Sequence, residues 1–154
     1  MIILGVVPSS KNVLMSIVQG DRENPVVVGL DRNMRTQKTC IDGKSETQVL
    51  YELFEFVRAL VETKEIEKIV ILQAGGIQYG KKSSVRVKTE AVFQLAAHSK
   101  SVPVLFTNPI SLKKQSSDFE KLLSSPENVF NEGKAFSPKG LQDALIVAWS
   151  GFTE

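Results

Sequence analysis

MIILGVVPSSKNVLMSIVQG, residues 1–20, opens the chain with two extended segments joined by a turn. Met1 to Val7 is a continuous apolar run bounded by Pro8-Ser9-Ser10, the pattern of a central strand covered on both faces. Asn12 to Gln19 reads as a second strand. SSKN and the later DRENP carry turn chemistry, and VVVGL with NMRTQKTCI after it supplies a third extended segment. The opening of the chain therefore predicts an antiparallel meander.

Beyond the meander, Ser45 precedes Val49, Leu50, Leu53, Phe54, Val57, Leu60 and Val61, whose i, i+3, i+4, i+7 spacing is that of an amphipathic helix. IEKIVILQ, 66–73, is a β-branched run that enters the sheet by a crossover. After the loop AGGIQYGKKSS, helical spacing returns from Val85 to Ala97, and VPVLFTN reads as a short buried strand. NPISLKKQ starts a helix. Residues 116–137 are polar and punctuated by Pro and Gly, which predicts a surface excursion with a pair of helical turns around Phe119 to Leu123. Ser137-Pro138 is an N-cap with proline at the first helical position, and it opens the last helix, KGLQDALIVAWSG. No internal repeat or low-complexity tract interrupts this order. Three strands, helix, strand, helix, strand, helix and a final helix is the order of the ribonuclease H-like fold. The expectation is an α/β domain spanning 1–154, with a five-stranded mixed sheet, an antiparallel meander plus parallel strands, flanked by helices.

Composition sets bounds on function. The 154 residues carry 19 Lys and Arg against 17 Asp and Glu, and a formal charge of +2 gives no global electrostatic case for nucleic acid. Any basic surface has to be local. A lone Cys40 excludes an internal disulfide, and a lone His98 leaves no Cys/His cluster for structural zinc. A reducing cytoplasm is the simplest compartment. The apolar start is too short to span a bilayer and lacks a basic leader, so it reads as a strand and not as a signal peptide, with no membrane partner expected.

Within the predicted order, ILGVVPSS resembles the end of the first strand of RuvC-type Holliday-junction resolvases: a glycine, an apolar residue, an aspartate, a proline and a small turn. This chain matches all of it except the aspartate, where it has Val7. The likeness extends to IVILQAGG, where Gln73 stands at the family's glutamate, and to the last helix, where the family has two aspartates three residues apart. There LQDALIVA keeps Asp143, while the first corresponds to Gly140. The chain also resembles small bacterial proteins of the same build, in which a basic, glycine-containing loop leads into a helix of the type KTEAVFQL; no activity carries over from these.

The substitutions matter chemically. In the two-metal mechanism, ions about 4 Å apart stabilise the attacking and leaving oxygens of a phosphodiester. At an effective dielectric of about 20 two divalent ions repel by about 17 kcal/mol at that separation, so several carboxylates and the substrate phosphate must offset them. Val7 and Gly140 offer nothing, and the Gln73 carbonyl is at best a weak ligand for a hard cation. Asp143 alone is too little charge, and near a helix start it is also stabilised by the dipole. The resemblance thus implies a vestigial site at Val7, Gln73 and Asp143, with no confident catalytic residue and no metal or other cofactor. Glu90, Asp31 and Asp21 are the acids that would have to rebuild a site, and nothing in their spacing requires it.

The densest charge feature is KKSSVRVK, which brings Lys81, Lys82, Arg86 and Lys88 together without an acid, beside Gly75, Gly76, Gly80 and Tyr79. Glycines allow close backbone approach, Ser83 and Ser84 with helix N-terminal amides accept a phosphate, and Tyr79 offers a stacking face. The alternative is a loop whose charges maintain solubility. Its spacing is not that of a Walker loop. Lys113-Lys114 adds a second basic point. His98 lies near a helix end, where a cation suits the dipole. Ser9, Ser10 and Cys40 have no base partner, and Trp149 and Phe152 read as core or dimer-facing. The leading reading is a catalytically degenerate resolvase-like domain that binds a DNA or RNA backbone through this loop. Two others stay open: a protein-interaction scaffold or homodimer module without nucleic-acid affinity, and a nuclease with displaced carboxylates that would need Mg²⁺ or Mn²⁺.

Overall fold

The computed structural model describes residues 1–8, 13–28, 45–73, 84–123 and 139–152. Its elements run β1 (Ile2–Pro8), β2 (Val13–Gly20), β3 (Pro25–Val27), α1 (Glu46–Thr63), β4 (Lys68–Leu72), α2 (Ser84–Ser99), β5 (Val104–Thr107), α3 (Pro109–Leu123) and α4 (Lys139–Ser150). This is the expected order. The sheet is β3-β2-β1-β4-β5, antiparallel across β1–β2 and β2–β3 and parallel across β1–β4 and β4–β5. Thus the apolar opening run is the central strand, and the fold is ribonuclease H-like.

Strand alternation divides the core between two faces. Leu4 and Val6 of β1, Met15 and Ile17 of β2, and Ile69 and Ile71 of β4 pack with Leu53 and Val57 of α1 and Phe93 of α2. On the other face Ile3, Val18, Val70 and Leu72 meet Phe119 of α3 and the run Leu145–Trp149 of α4. The α4 helix lies directly on the backbone of β1, because Gly5 presents no side chain beneath Ala144 and Ala148. Trp149 and Phe152 are core residues. Trp149 stacks edge-on against Phe119 with centroids 5.6 Å apart, and its Nε1 donates to the Arg22 carbonyl at 2.9 Å. Arg22 lies 4.0 Å above the same ring and donates to Gln115 Oε1 at 2.8 Å, which ties the β2–β3 turn to α3 and α4.

Both helices that feed parallel strands end in the same motif. Ile66 N donates to Val61 O and Glu65 N to Glu62 O; likewise Val102 N donates to Ala97 O and Ser101 N to His98 O. Glu65 (φ 54°) and Ser101 (φ 58°) hold the left-handed position normally given to glycine. At its other end α1 begins on Ser45, whose side chain accepts from Gln48 N at 3.2 Å. Ser45→Ala removes that acceptor and is expected to cost about 1 kcal/mol, read as a fall in urea midpoint with an unchanged slope.

Two expectations need correction. VPVLFTN is not buried: β5 is an edge strand, with Leu105 43% and Phe106 40% exposed. The excursion begins later than residue 116, because α3 runs unbroken to Leu123 and buries Phe119 completely. Of the third extended segment, Pro25–Val27 is a strand antiparallel to β2, and NMRTQKTCI lies outside the described residues. Among the described residues no helix is long and apolar enough to cross a membrane.

Candidate functional site

The parallel pairing brings three strand ends to one edge. Val6 of β1 is level with Ile71 of β4, and Leu72 of β4 with Thr107 of β5. One step further, Gln73 N donates to Thr107 O at 2.7 Å. Val7 and Gln73 therefore finish at the same edge of the sheet. The α4 helix reaches it from above: Gly151 lies over Ile3 and Val70, while Ala144 lies over Gly5, so the helix runs antiparallel to β1 with its N-terminal half toward Val7. Asp143 precedes Ala144 there, and Gly140 is in the first turn of α4. The structure thus gathers the positions that the resemblance singled out.

Their environments differ. Val7 is half-buried and packs against the α4-side core, so an apolar side chain serves as filling there. Gln73 is exposed. Asp143 is half-buried and has an interaction partner within the fold. A neutral amide, an aliphatic side chain and one engaged carboxylate do not form the donor set that a pair of divalent cations requires. Among the described residues, no group of three or more His, Cys, Asp or Glu comes together in a way that could hold a metal ion.

The other acids are occupied elsewhere. Glu90 is not a solvated acid but is 6% exposed, and its Oε1 lies 3.8 Å from Arg86 Nε one helical turn away. Asp21 sits in the β2–β3 turn, at the opposite end of the sheet from Val7, because Gln19 pairs with Ile2. Its Oδ1 accepts from the backbone N–H groups of Asn24 and Glu23 at 2.8 and 2.9 Å, bonds that hold its carboxyl below the usual carboxylate range. Asp31 lies outside the described residues.

Of the basic segment, the described part lies on α2. Tyr79, Lys81, Lys82 and Ser83 lie outside the described residues, and Ser84 opens α2. Arg86 commits its Nη2 to the Leu72 carbonyl at 2.9 Å and its Nε side to Glu90, which fastens the start of α2 to the end of β4. Burial lowers the Arg86 pKa, and Glu90 opposes that shift. The sequence reading grouped Arg86 with the nucleic-acid contacts; the i, i+4 spacing of Arg86 and Glu90 was the available sign of this clamp. Lys88 is half exposed and ion-paired with Glu46 at the start of α1, a surface pair that solvent screens. The α3 helix also starts at this edge, where the Asn108 side chain accepts from Ser111 N at 2.8 Å, and it carries Lys113 and Lys114, both exposed. His98 is exposed in the last turn of α2. Ser9, Ser10 and Cys40 lie outside the described residues.

No family model matches the sequence, and no curated protein is similar to it at the sequence level. Solved structures are similar in fold. Thermus thermophilus RuvC in complex with a Holliday junction substrate superposes with a TM-score of 0.77 at 14% identity, over 97% of this chain and 91% of that one. Thermus thermophilus RuvC in a second structure gives 0.76 at 14% identity, over 97% and 92%. The yeast mitochondrial Holliday junction resolvase Ydc2 gives 0.61 at 13% identity, over 97% and 76%. The fold is RuvC-like, as the motifs implied.

Proposed function

We propose that this chain is a nucleic-acid-binding domain on a resolvase scaffold, and that it holds a phosphate backbone without cutting it. The observation that carries the reading is the edge formed by Val7, Gln73 and Asp143. It keeps the position of a phosphodiester site but replaces the ligands of two divalent cations with an aliphatic group and an amide. What remains around that edge favours an anion. Arg86, near the end of the basic segment, reaches it through the Leu72 carbonyl, α3 begins there with a capped N-terminus, and Lys113 and Lys114 follow in its second turn. In this reading Lys81, Lys82 and Lys88 contact phosphates, Ser83 and Ser84 and the adjoining amides donate to phosphate oxygens, and Tyr79 stacks a base. Arg86 anchors the C-terminal end of the loop. The reducing cytoplasm remains the assigned compartment, on the lone Cys40.

The test is fluorescence anisotropy on single-stranded, duplex and four-way-junction DNA and matched RNA over a salt series. Binding should weaken steeply with salt. Lys81/Lys82/Lys88→Ala should flatten the log–log slope by about 2.7, roughly 0.9 per phosphate contact. No binding to any substrate at low salt would overturn the reading and leave a protein-interaction scaffold. Cleavage with Mg²⁺ or Mn²⁺ that Asp143→Asn abolishes would replace it with a nuclease using displaced carboxylates.

A further inference from the structure

Two ion pairs strap α1 to α2, one toward each end. Lys88, in the second turn of α2, meets Glu46, the first residue of α1. Lys100, just past α2, meets Glu62 in the last turn of α1 at 3.1 Å. The second pair lies where α2 turns into the start of β5, level with the start of β4. The first lies at the end of the sheet that carries Gln73, because Arg86, two residues before Lys88, reaches the Leu72 carbonyl.

The α2 helix begins against its own dipole. It has no acid in its first turn, and Arg86 and Lys88 fall within its first five residues, where the helix dipole favours the opposite sign. Each cation is answered by one carboxylate, Arg86 by Glu90 of the same helix and Lys88 by Glu46 of the neighbouring one. The two answers differ in kind. The Arg86 and Glu90 side chains are 21% and 8% exposed, whereas those of Lys88 and Glu46 are 49% and 45% exposed. Breaking a buried pair strands a charge away from water; an open pair is screened and weakly held, so an incoming anion can take its cation. Released, Glu46 keeps the favourable field of the α1 N-terminus.

We propose that Glu46 is a built-in competitor for nucleic-acid phosphate. In the free chain its carboxylate occupies Lys88, and a backbone phosphate displaces it. The exchange substitutes one anion for another on Lys88, and the freed carboxylate then faces the bound backbone and repels it, most strongly at low salt. Glu46 thus lowers the affinity of the basic segment on both counts. The inference rests on the nucleic-acid reading and adds to it a self-blocking contact on one of its phosphate ligands.

Fluorescence anisotropy at low salt tests this, with fluorescein-labelled single-stranded and duplex DNA and RNA of the same sequence. Glu46→Gln and Glu62→Gln each remove one negative charge from α1 and one strap between the helices, but only the first frees Lys88. Glu46→Gln should tighten binding by about two- to fivefold, the range of an exposed ion pair, and Glu62→Gln by clearly less. In a Lys88→Ala background, Glu46→Gln should gain no more than Glu62→Gln does. Loss of either surface pair should lower the melting temperature by no more than about 4 °C, so the variants are compared folded. A Glu46→Gln affinity no higher than that of Glu62→Gln would overturn the proposal and leave the nucleic-acid reading in place. So would a gain that survives Lys88→Ala. Absence of binding by both the unmodified chain and Glu46→Gln would overturn the reading and the competitor together.

Discussion

Gly5→Ala should destabilise the chain by about 3 kcal/mol, enough to lower the melting temperature by roughly 6–12 °C. A Cβ built at Gly5 would stand 2.2 Å from the Ala144 carbonyl oxygen, 2.6 Å from Ala148 N and 2.8 Å from Ala148 Cβ. Two of these three atoms are backbone, so no rotamer change relieves the overlap. The α4 helix has to lift, and with it the packing of Leu145, Val147 and Trp149 against Ile3, Val70 and Phe119. Gly151→Ala is the control, because a Cβ there meets the Val70 and Ile3 side-chain tips at 2.8 and 3.1 Å and the Ala148 carbonyl oxygen at 3.1 Å. Its cost should stay near 1 kcal/mol. Adding Ala148→Gly to Gly5→Ala should restore little, since the carbonyl contact remains. Full restoration would mean that the methyl of Ala148, and not the helix backbone, sets the approach. The seating matters for function because α4 carries Asp143 toward the end of β1.

The legible parts of the fold were those in which side-chain pattern and environment agree. MIILGVV is apolar at every position except Gly5 because β1 is central and covered on both faces, and the α1 stripe is periodic because one side of that helix meets the sheet. Where pattern and environment part, sequence reading failed. VPVLF has the composition of a core strand, yet among the described residues β4 is the one strand beside β5, and composition does not tell an edge from a centre. The second half of α3 looks like a loop because Ser116, Ser117 and Asp118 are polar. Its inward residues are Leu112, Gln115 and Phe119, of which Gln115 meets Arg22, a partner 93 residues away in sequence. The end of α2 was placed early because Ser101 takes the left-handed position without the glycine that signals it.

The candidate site divides the same way. Val7, Gln73 and Asp143 were findable because short motifs at strand and helix ends fix positions along the chain, and the parallel sheet then brings them to one edge. The Arg86 clamp was not, because it depends on burial. A run of four cations reads as a single solvated face until one of them is seen reaching a strand carbonyl. The Leu72 carbonyl that Arg86 holds immediately precedes Gln73, so the clamp and Gln73 share the same strand end.

Removing that clamp should therefore be felt as stability first. Arg86→Ala takes from Glu90, whose side chain is 8% exposed, the guanidinium 3.8 Å away, and takes the donor from the Leu72 carbonyl. Breaking a fully buried ion pair from one side costs about 3–5 kcal/mol; with Arg86 21% exposed and the closest approach 3.8 Å, about 2–3 kcal/mol is expected. The melting temperature should fall by roughly 4–12 °C. Arg86→Met with Glu90→Leu should recover most of this, because two apolar groups leave no charge unpaired. The salt dependence of nucleic-acid binding discriminates between the roles of this arginine. As an anchor, Arg86 can be replaced with the log–log slope unchanged, even if affinity drops because the loop end is no longer fixed. As a phosphate contact, its loss should flatten the slope by about 0.9 with little change in melting temperature. Since Nη2 is bonded to the Leu72 carbonyl and the guanidinium faces Glu90 at 3.8 Å, the first outcome is expected, and the second would return Arg86 to the same role as Lys81, Lys82 and Lys88.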